Sequence, residues 1–379
     1  MGSRMKKIVI LGSTGSVGQQ TLSVIRLFPD ELQVVGLTAG DNTELLLEQM
    51  QEFQPKFIGC KNPSVLPKEA LIDNCQILSP KEMVQLDEVD CVVAATVGTA
   101  ALHPIIKAIE SGKDIILSNK ESIVMAGALV TSLAEKHNVS ILPVDSEPSA
   151  IWQCLRGEDK EISRIIITAS GGALRHKSLD DLHTVTPEEA LKHPTWTMGK
   201  KITVDSATLM NKGFEVIESK WLFNVPWDKI EVVVHHQSII HSMVEFIDGS
   251  VKAQISPPDM RLPIHYALFY PKRVENSVIE KFNPSVTKSL TFEELDHGRY
   301  PCFDIAIECG TKGHTYPSVL NAADEIAVDL FLKNQIRFTD IPLLVESVIS
   351  KHNPTSDPNI EEIMMADAWA RNLAREWKS

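Results

Sequence analysis

The chain has 379 residues, 43% of them hydrophobic and 23% charged, with a net charge of −13. That length suits two or three domains of roughly 150 residues each, and so ordinary a composition excludes wholesale disorder. The acidic balance argues against nucleic acid and anionic membranes as partners, so an anionic substrate would have to be met by a local basic pocket or a bound cation.

Met1-Gly2-Ser3-Arg4 looks like an expression remnant ahead of a natural start at Met5, and it has no signal-peptide layout. The chain contains no run of ~18 apolar residues, so no membrane span is expected. Cys60, Cys75, Cys91, Cys154, Cys302 and Cys309 are scattered without a CxxC pair. They read as reduced thiols, and the expected location is the cytoplasm.

The opening KKIVIL is a continuous apolar strand, followed by Gly12-Ser13-Thr14-Gly15-Ser16-Val17-Gly18 and a helix to about Phe28. Strand-like LQVVGL, PKFIGC, CVVAAT, DIIL and VSILPV follow, separated by helical stretches. Fully apolar strands alternating with helices predict an α/β unit with a doubly wound parallel sheet. A small-residue turn between strand and helix lets a backbone approach a pyrophosphate at a helix N-terminus. The second strand ends Leu37-Thr38-Ala39-Gly40-Asp41-Asn42. Its small tip leaves room for a 2′-phosphate, whereas Asp41 would oppose one unless it points away. From the residues, NAD against NADP stays open. No tyrosine has a lysine four residues later, which disfavours a short-chain dehydrogenase.

Asn119-Lys120-Glu121 and Asp145-Ser146-Glu147-Pro148 each follow a strand end, where ligands gather in doubly wound sheets. Alternation would put Asp145 and Glu147 on one side, as hard oxygen ligands suited to Mg²⁺ or Mn²⁺. Helix capping is the other reading of the same residues.

From about Ile162 the texture changes. RIIIT, KITV, IEVVVHH and IIHSMVEF read as strands, and Asp248-Gly249 as a hairpin, predicting an α+β region with an antiparallel or mixed sheet. Thr168-Ala169-Ser170-Gly171-Gly172 is a second small-residue turn. His193-Pro194-Thr195-Trp196-Thr197-Met198-Gly199 reads as a loop with an exposed Trp and Met, suited to a lid. His235, His236 and His241 read as structural. The KITV strand is expected to tip into a helix carrying Asn211, Lys212 and Glu215 beside a helix-weakening Gly213. Asn211 and Glu215, four apart, share a face. Ser206, Asn211 and Lys212 suit a phosphate, and Glu215 is the candidate third acid. Beyond a Pro-rich stretch, everything after Pro301 reads as helices.

The motifs GSTGSVG, LSNKES, PVDSEPSAIWQ, TASGG, HPTWTMGKKITVDSATLMNKGFEVIE, QSIIHSMVEFIDGSV and PPDMRLPIHYAL closely resemble the 1-deoxy-D-xylulose 5-phosphate reductoisomerase family from Met5 to the tail PSVLNAADEIAV. The resemblance implies a homodimer with a Rossmann-like NADPH domain (1–145), a central α+β catalytic and dimerisation domain (146–270), a linker (271–298) and a C-terminal helical bundle (299–379). It implies Asp145, Glu147 and Glu215 as ligands of one divalent cation, Mg²⁺, Mn²⁺ or Co²⁺. Lys120, Ser146 and His193 would contact a phosphorylated ketose, while Ser170, Ser206, Asn211 and Lys212 hold its phosphate under a lid carrying Trp196. Lys120, Glu147, Glu215 and His193 would be catalytic. Thr14, Gly15, Ser16, Val17, Gly40, Asn42, Asn119, Glu121, Gly199 and Met260 would line the cofactor site. The implied reaction breaks the ketose C3–C4 bond, re-forms it elsewhere and reduces the resulting aldehyde by hydride transfer. Another NAD(P) oxidoreductase, of the aspartate-semialdehyde or homoserine dehydrogenase type, is the alternative enzyme. A nucleotide-sensing regulator with a dead site is a third possibility, and it would have no need of three acids.

Overall fold

The first apolar run forms β1 (Lys6–Leu11), whose last four residues are buried. β2 (Leu32–Ala39), β3 (Phe57–Cys60), β4 (Gln76–Ile77), β5 (Cys91–Ala94), β6 (Asp114–Leu117) and β7 (Ile141–Pro143) follow. They form one parallel sheet in the order β4-β3-β2-β1-β5-β6-β7. This is the doubly wound architecture that the alternation predicts, and the crevice beyond its strand ends is where such folds bind ligands. The computed structural model describes residues 4–66, 71–158 and 161–378, so the Met1-Gly2-Ser3 opening lies outside the described residues.

The chain divides into two compact units, and this sheet belongs to the first, made of 1–122, 130–149 and 259–279. Ile8, Ile10, Leu37, Val93 and Ile116 are fully buried in its core. The connecting helices are α1 (Ser16–Ile25), α2 (Thr43–Phe53), α3 (Pro80–Met83), α4 (Leu102–Glu110) and α5 (Lys120–His137). α5 leaves helical geometry at Ala126 (φ −135°, ψ 27°), and its stretch 123–129 belongs to the second unit. α6 (Ser146–Leu155) opens in the first unit and closes in the second. A late helix, numbered α10 in chain order (Arg261–Phe269), packs on α1. Phe28 meets Phe269 edge-on at 4.7 Å, and Lys6 Nζ donates to Leu268 O at 2.6 Å.

The second unit is built around β8 (Ile162–Ala169), β9 (Ile230–Val234), β10 (Ile240–Phe246), β11 (Val251–Ile255) and β12 (Glu293–Glu294). The sheet is mixed, in the order β11-β10-β8-β9-β12, with β8 and β9 parallel and the other pairs antiparallel. β10 and β11 form the hairpin expected at Asp248-Gly249. The helices are α7 (Pro187–Ala190), α8 (Lys200–Thr208), α9 (Met210–Phe223), α11 (Pro301–Lys312), α12 (Tyr316–Leu332), α13 (Asp340–Ile349) and α14 (Ile360–Arg375).

α9 is buried on two sides. Phe214 and Ile217 join a core with α11 and α12, whereas Leu209 and Val216 join the core on β8 and β10. Gly213 is needed for this packing, because a Cβ there would stand 2.4 Å from the Ala306 Cβ.

The expected KITV strand is corrected: Lys200–Thr208 is helical. Gly199 starts the helix, its carbonyl accepting from Thr203 N at 3.1 Å and Thr203 Oγ1 at 2.8 Å. Burial of Thr203, Val204, Asp205, Ser206, Ala207 and Thr208 overrides the local preference of β-branched residues for strands. Leu209, in the left-handed region at φ 55°, separates α8 from α9.

Candidate active site

In the first unit, the turn after β1 is anchored from beneath. Gly12 N and Ser13 N both donate to Thr38 O, at 3.0 and 2.8 Å. A Cβ on Gly12 would come within 2.8 Å of the Ala95 carbonyl, and one on Gly18 within 2.2 Å of Gly12 O. The turn is therefore closed to side chains where it meets its own fold. Its rim is open, with Gly15 and Ser16 exposed and Thr14 and Val17 half-buried. Gly15 starts α1 with no side-chain cap on the first-turn N–H groups. This is a cradle that an anion such as a pyrophosphate fits. At the tip of β2, Gly40 faces open space, and the Asn42 side chain caps α2 by accepting from Leu45 N at 3.2 Å.

Asn119 is almost fully buried. Its Nδ2 donates to Thr96 O (2.8 Å), Gly98 O (3.0 Å) and Glu121 Oε2 (3.0 Å), while its Oδ1 accepts from Ser122 N (3.1 Å). Its side chain thus pins the loop after β5 and caps α5, and it would shape a cofactor site through that loop. Met260, half-buried, precedes α10.

Beyond β7, Lys120 Nζ lies 2.5 Å from Asp145 Oδ2, with both side chains largely buried. Ser146 N donates to Asp145 Oδ1 at 3.0 Å, and Ser146 Oγ donates to Glu147 Oε2 at 2.5 Å. Two carboxylates two residues apart are thus held just past the end of β7, one of them paired with Lys120 at the start of α5, a donor set of hard oxygens.

In the second unit, Gly171 and Gly172 both have positive φ (83° and 71°), and a Cβ on Gly172 would meet Ser206 O at 2.4 Å. The turn after β8 therefore lies directly on α8, which places Ser170 and Ser206 in one neighbourhood. Ser170 is held by Gly172 N donating to its Oγ (3.2 Å) and by His236 Nδ1 donating to its carbonyl (3.0 Å). Tyr300 Oη donates to Gly171 O at 3.1 Å.

His193 Nδ1 accepts from Trp196 N (2.9 Å) and Thr195 N (3.2 Å), which leaves the proton on Nε2, 2.9 Å from Ser170 Oγ. Burial, with Arg175 nearby, pushes His193 down to about 4, so it is a neutral imidazole at pH 7. The expectation of an exposed Trp and Met in this loop is corrected. Trp196 and Met198 are half-buried, and the Trp196 ring lies 6.1 Å from His241. Gly199 is exposed at the start of α8.

On α9, Asn211 Nδ2 donates to Glu215 Oε1 at 2.5 Å, and Lys212 Nζ pairs with the other Glu215 oxygen. The amide, the cation and the acid form one hydrogen-bonded unit, with Lys212 and Glu215 buried and Asn211 half-buried.

One feature escaped the sequence reading, and one expected role is filled. Lys201 Nζ bridges Asp205 Oδ2 (2.6 Å) and Asp324 Oδ2 (2.7 Å), and both acids are buried. Lys201 and Asp205 are four apart on a helix, a signal hidden by reading that segment as a strand. His235, wholly buried, donates to Thr291 O (2.8 Å) and accepts from Ile239 N (3.3 Å) and Ile240 N (3.2 Å), so it organises backbone.

The six cysteines are all free. Burial pushes Cys154 up to about 11 and Cys91 and Cys309 up to about 12, which disfavours a nucleophilic thiolate there. Among the described residues, no helix is long and apolar enough to cross a membrane.

Family patterns match in three stretches. "1-deoxy-D-xylulose 5-phosphate reductoisomerase" matches residues 8–127, its "C-terminal domain" 141–223, and "DXP reductoisomerase C-terminal domain" 255–373. The 1-deoxy-D-xylulose 5-phosphate reductoisomerase of Pelotomaculum thermopropionicum is 51% identical over 378 residues, covering 97% of each chain. That of Thermoanaerobacter sp. is 52% identical over 370 residues, covering 96% of this chain and 97% of its own. Among solved structures, the Zymomonas mobilis enzyme in complex with NADPH superposes with a TM-score of 0.91 at 40% identity, over 98% of both chains. A DOX-P reductoisomerase in complex with NADPH, fosmidomycin and magnesium also gives 0.91, at 37% identity over 98% of both chains.

Proposed function

The chain belongs to the 1-deoxy-D-xylulose 5-phosphate reductoisomerase family, and from that membership we propose that it converts 1-deoxy-D-xylulose 5-phosphate to 2-C-methyl-D-erythritol 4-phosphate. The reaction uses NADPH and one divalent cation, and serves non-mevalonate isoprenoid precursor biosynthesis. The full-length match to relatives of that name carries the reading.

Asp145, Glu147 and Glu215 are the ligands that family membership implies for the ion. When bound, the cation supplies a Lewis acid to adjacent substrate oxygens and the nicotinamide supplies a hydride. Lys120 and Ser146, already held against Asp145 and Glu147, position the ketose oxygens. Ser170, Ser206, Asn211 and Lys212 anchor the phosphate, far from the reacting carbons, so that binding energy is spent on orientation. His193, neutral and donating from Nε2, presents a fixed hydrogen bond beside Ser170, and Trp196 closes over the substrate and excludes water. Thr14, Gly15, Ser16, Val17, Gly40, Asn42, Asn119, Glu121, Gly199 and Met260 line the cofactor site, with the Gly-rich turn as pyrophosphate cradle.

The division into 1–145, 146–270, 271–298 and 299–379 is part of the same reading, as are a homodimer and a cytoplasmic location. Support for the dimer comes from β11, an edge strand with Val251 50% and Ile255 40% exposed, beside Ile247 at 68%. Monomers rarely leave such an edge uncovered. The free, scattered cysteines favour a reducing compartment.

The deciding assay follows NADPH absorbance with 1-deoxy-D-xylulose 5-phosphate and Mg²⁺. Oxidation that EDTA abolishes and Mg²⁺ restores is expected; metal-independent turnover, or none, sinks the proposal.

A further inference from the structure

Ala39 pairs with Cys60 at the ends of β2 and β3, so Gly40 and Lys61 leave the sheet side by side. Lys61 N donates to Gly40 O at 3.4 Å. In a doubly wound nucleotide fold the tip of the second strand faces the adenosine ribose. An acid there selects the 2′-hydroxyl, and a cation accommodates a 2′-phosphate. Here the tip itself is bare, since a Cβ on Gly40 would meet nothing within 4 Å. The nearest acid, Asp41, comes one residue later, and alone it would repel a 2′-phosphate.

Asp41 is not alone. Lys61 Nζ stands 3.4 Å from Asp41 Oδ2, with side-chain exposures of 72% and 83%. An exposed pair of this kind contributes at most about 1 kcal/mol, and a lysine's flexible four-carbon stem is easily redirected. A phosphate carries more negative charge than one carboxylate, so it outcompetes Asp41 for the same ammonium group.

We propose that Lys61 is the specificity-determining residue for the reduced nicotinamide cofactor, moving from Asp41 to the adenosine 2′-phosphate and so favouring NADPH over NADH. Asp41 holds the lysine at the strand tip when no phosphate is present and weakens the preference by competing for it. This inference rests on the proposed use of NADPH.

The test is equilibrium binding of NADPH and of NADH to the full chain, followed by nicotinamide fluorescence. The chains compared are wild type, Lys61→Ala, Lys61→Arg and Asp41→Ala. Lys61→Ala should weaken NADPH binding by about tenfold, equivalent to about 1.4 kcal/mol, and leave NADH within about twofold. Lys61→Arg should keep the preference, and Asp41→Ala should tighten NADPH. If wild type prefers NADPH and Lys61→Ala leaves the ratio unchanged, or weakens both cofactors equally, the role of Lys61 is overturned while NADPH use stands. A wild type without preference for NADPH overturns the cofactor reading and this inference together.

Discussion

Lys212 and Glu215 form an ion pair one helical turn apart on α9, 4% and 1% exposed respectively. Buried charges of this kind are stable only in company, because removing one partner leaves the other desolvated and uncompensated. The same arrangement recurs in the first unit, where Lys120 accompanies Asp145. Each lysine supports its acid, in addition to the substrate contact proposed for it.

Lys212→Ala should therefore act twice. Substrate KM should rise, because the phosphate loses its cation. The metal-free protein should also lose stability, by up to about 3–5 kcal/mol, since Glu215 is left buried without its lysine. Saturating Mg²⁺ should restore much of the melting temperature, as a divalent ion takes over the compensation. An unaltered KM counts against the anchor role, and a melting temperature indifferent to Mg²⁺ counts against Glu215 as ligand.

Glu215→Gln preserves shape and hydrogen bonding to Asn211 while removing the charge. Turnover should fall by about 100-fold or more, the scale of losing a group that stabilises transition-state charge. The metal-free protein should also lose stability, because Lys212 is then left buried without its acid. Full activity at saturating Mg²⁺ would remove Glu215 from the metal shell.

Gly213→Ala inserts a methyl where Ala306 already stands, 2.4 Å from the new Cβ. Overpacking should cost about 1–3 kcal/mol. Ala306→Gly in the same chain should recover most of it, a coupling that chemical denaturation of the four species of the cycle measures. Additive effects would show that the helices simply move apart.

Burial keeps several histidines neutral. His193 is pushed down to about 4, and burial also lowers His235, His265 and His352. Below about 6.5 the unfolded chain binds protons that the native histidines refuse, so stability falls as pH drops from about 6.5 toward 4. Urea midpoints should decline over that window, and His193→Asn should flatten the slope. A midpoint independent of pH there would contradict the buried, neutral state.

Six strands of the first sheet were legible in the sequence because each is an apolar run between helical stretches, whereas β4, only Gln76–Ile77, carries no such run. The acids at Asp145 and Glu147 were legible for the same reason, since they follow a strand end. The Lys201–Asp205–Asp324 bridge was not. Ile202, Thr203 and Val204 carry a strand preference, and only burial within the second unit makes them helical. Nor does any periodicity reveal that 259–279 returns to the first unit, because the partner of an apolar helix is set by tertiary shape.

That return has a consequence for biosynthesis. Phe28 meets Phe269 and Lys6 meets Leu268, residues that leave the ribosome 241 and 262 positions later. The first unit cannot be completed until 259–279 has been made, so the flank that α10 covers stays exposed through most of translation. Chaperone engagement should concentrate in that interval, and chains arrested shortly before Arg261 should be markedly more susceptible to protease than chains extended past Ile279.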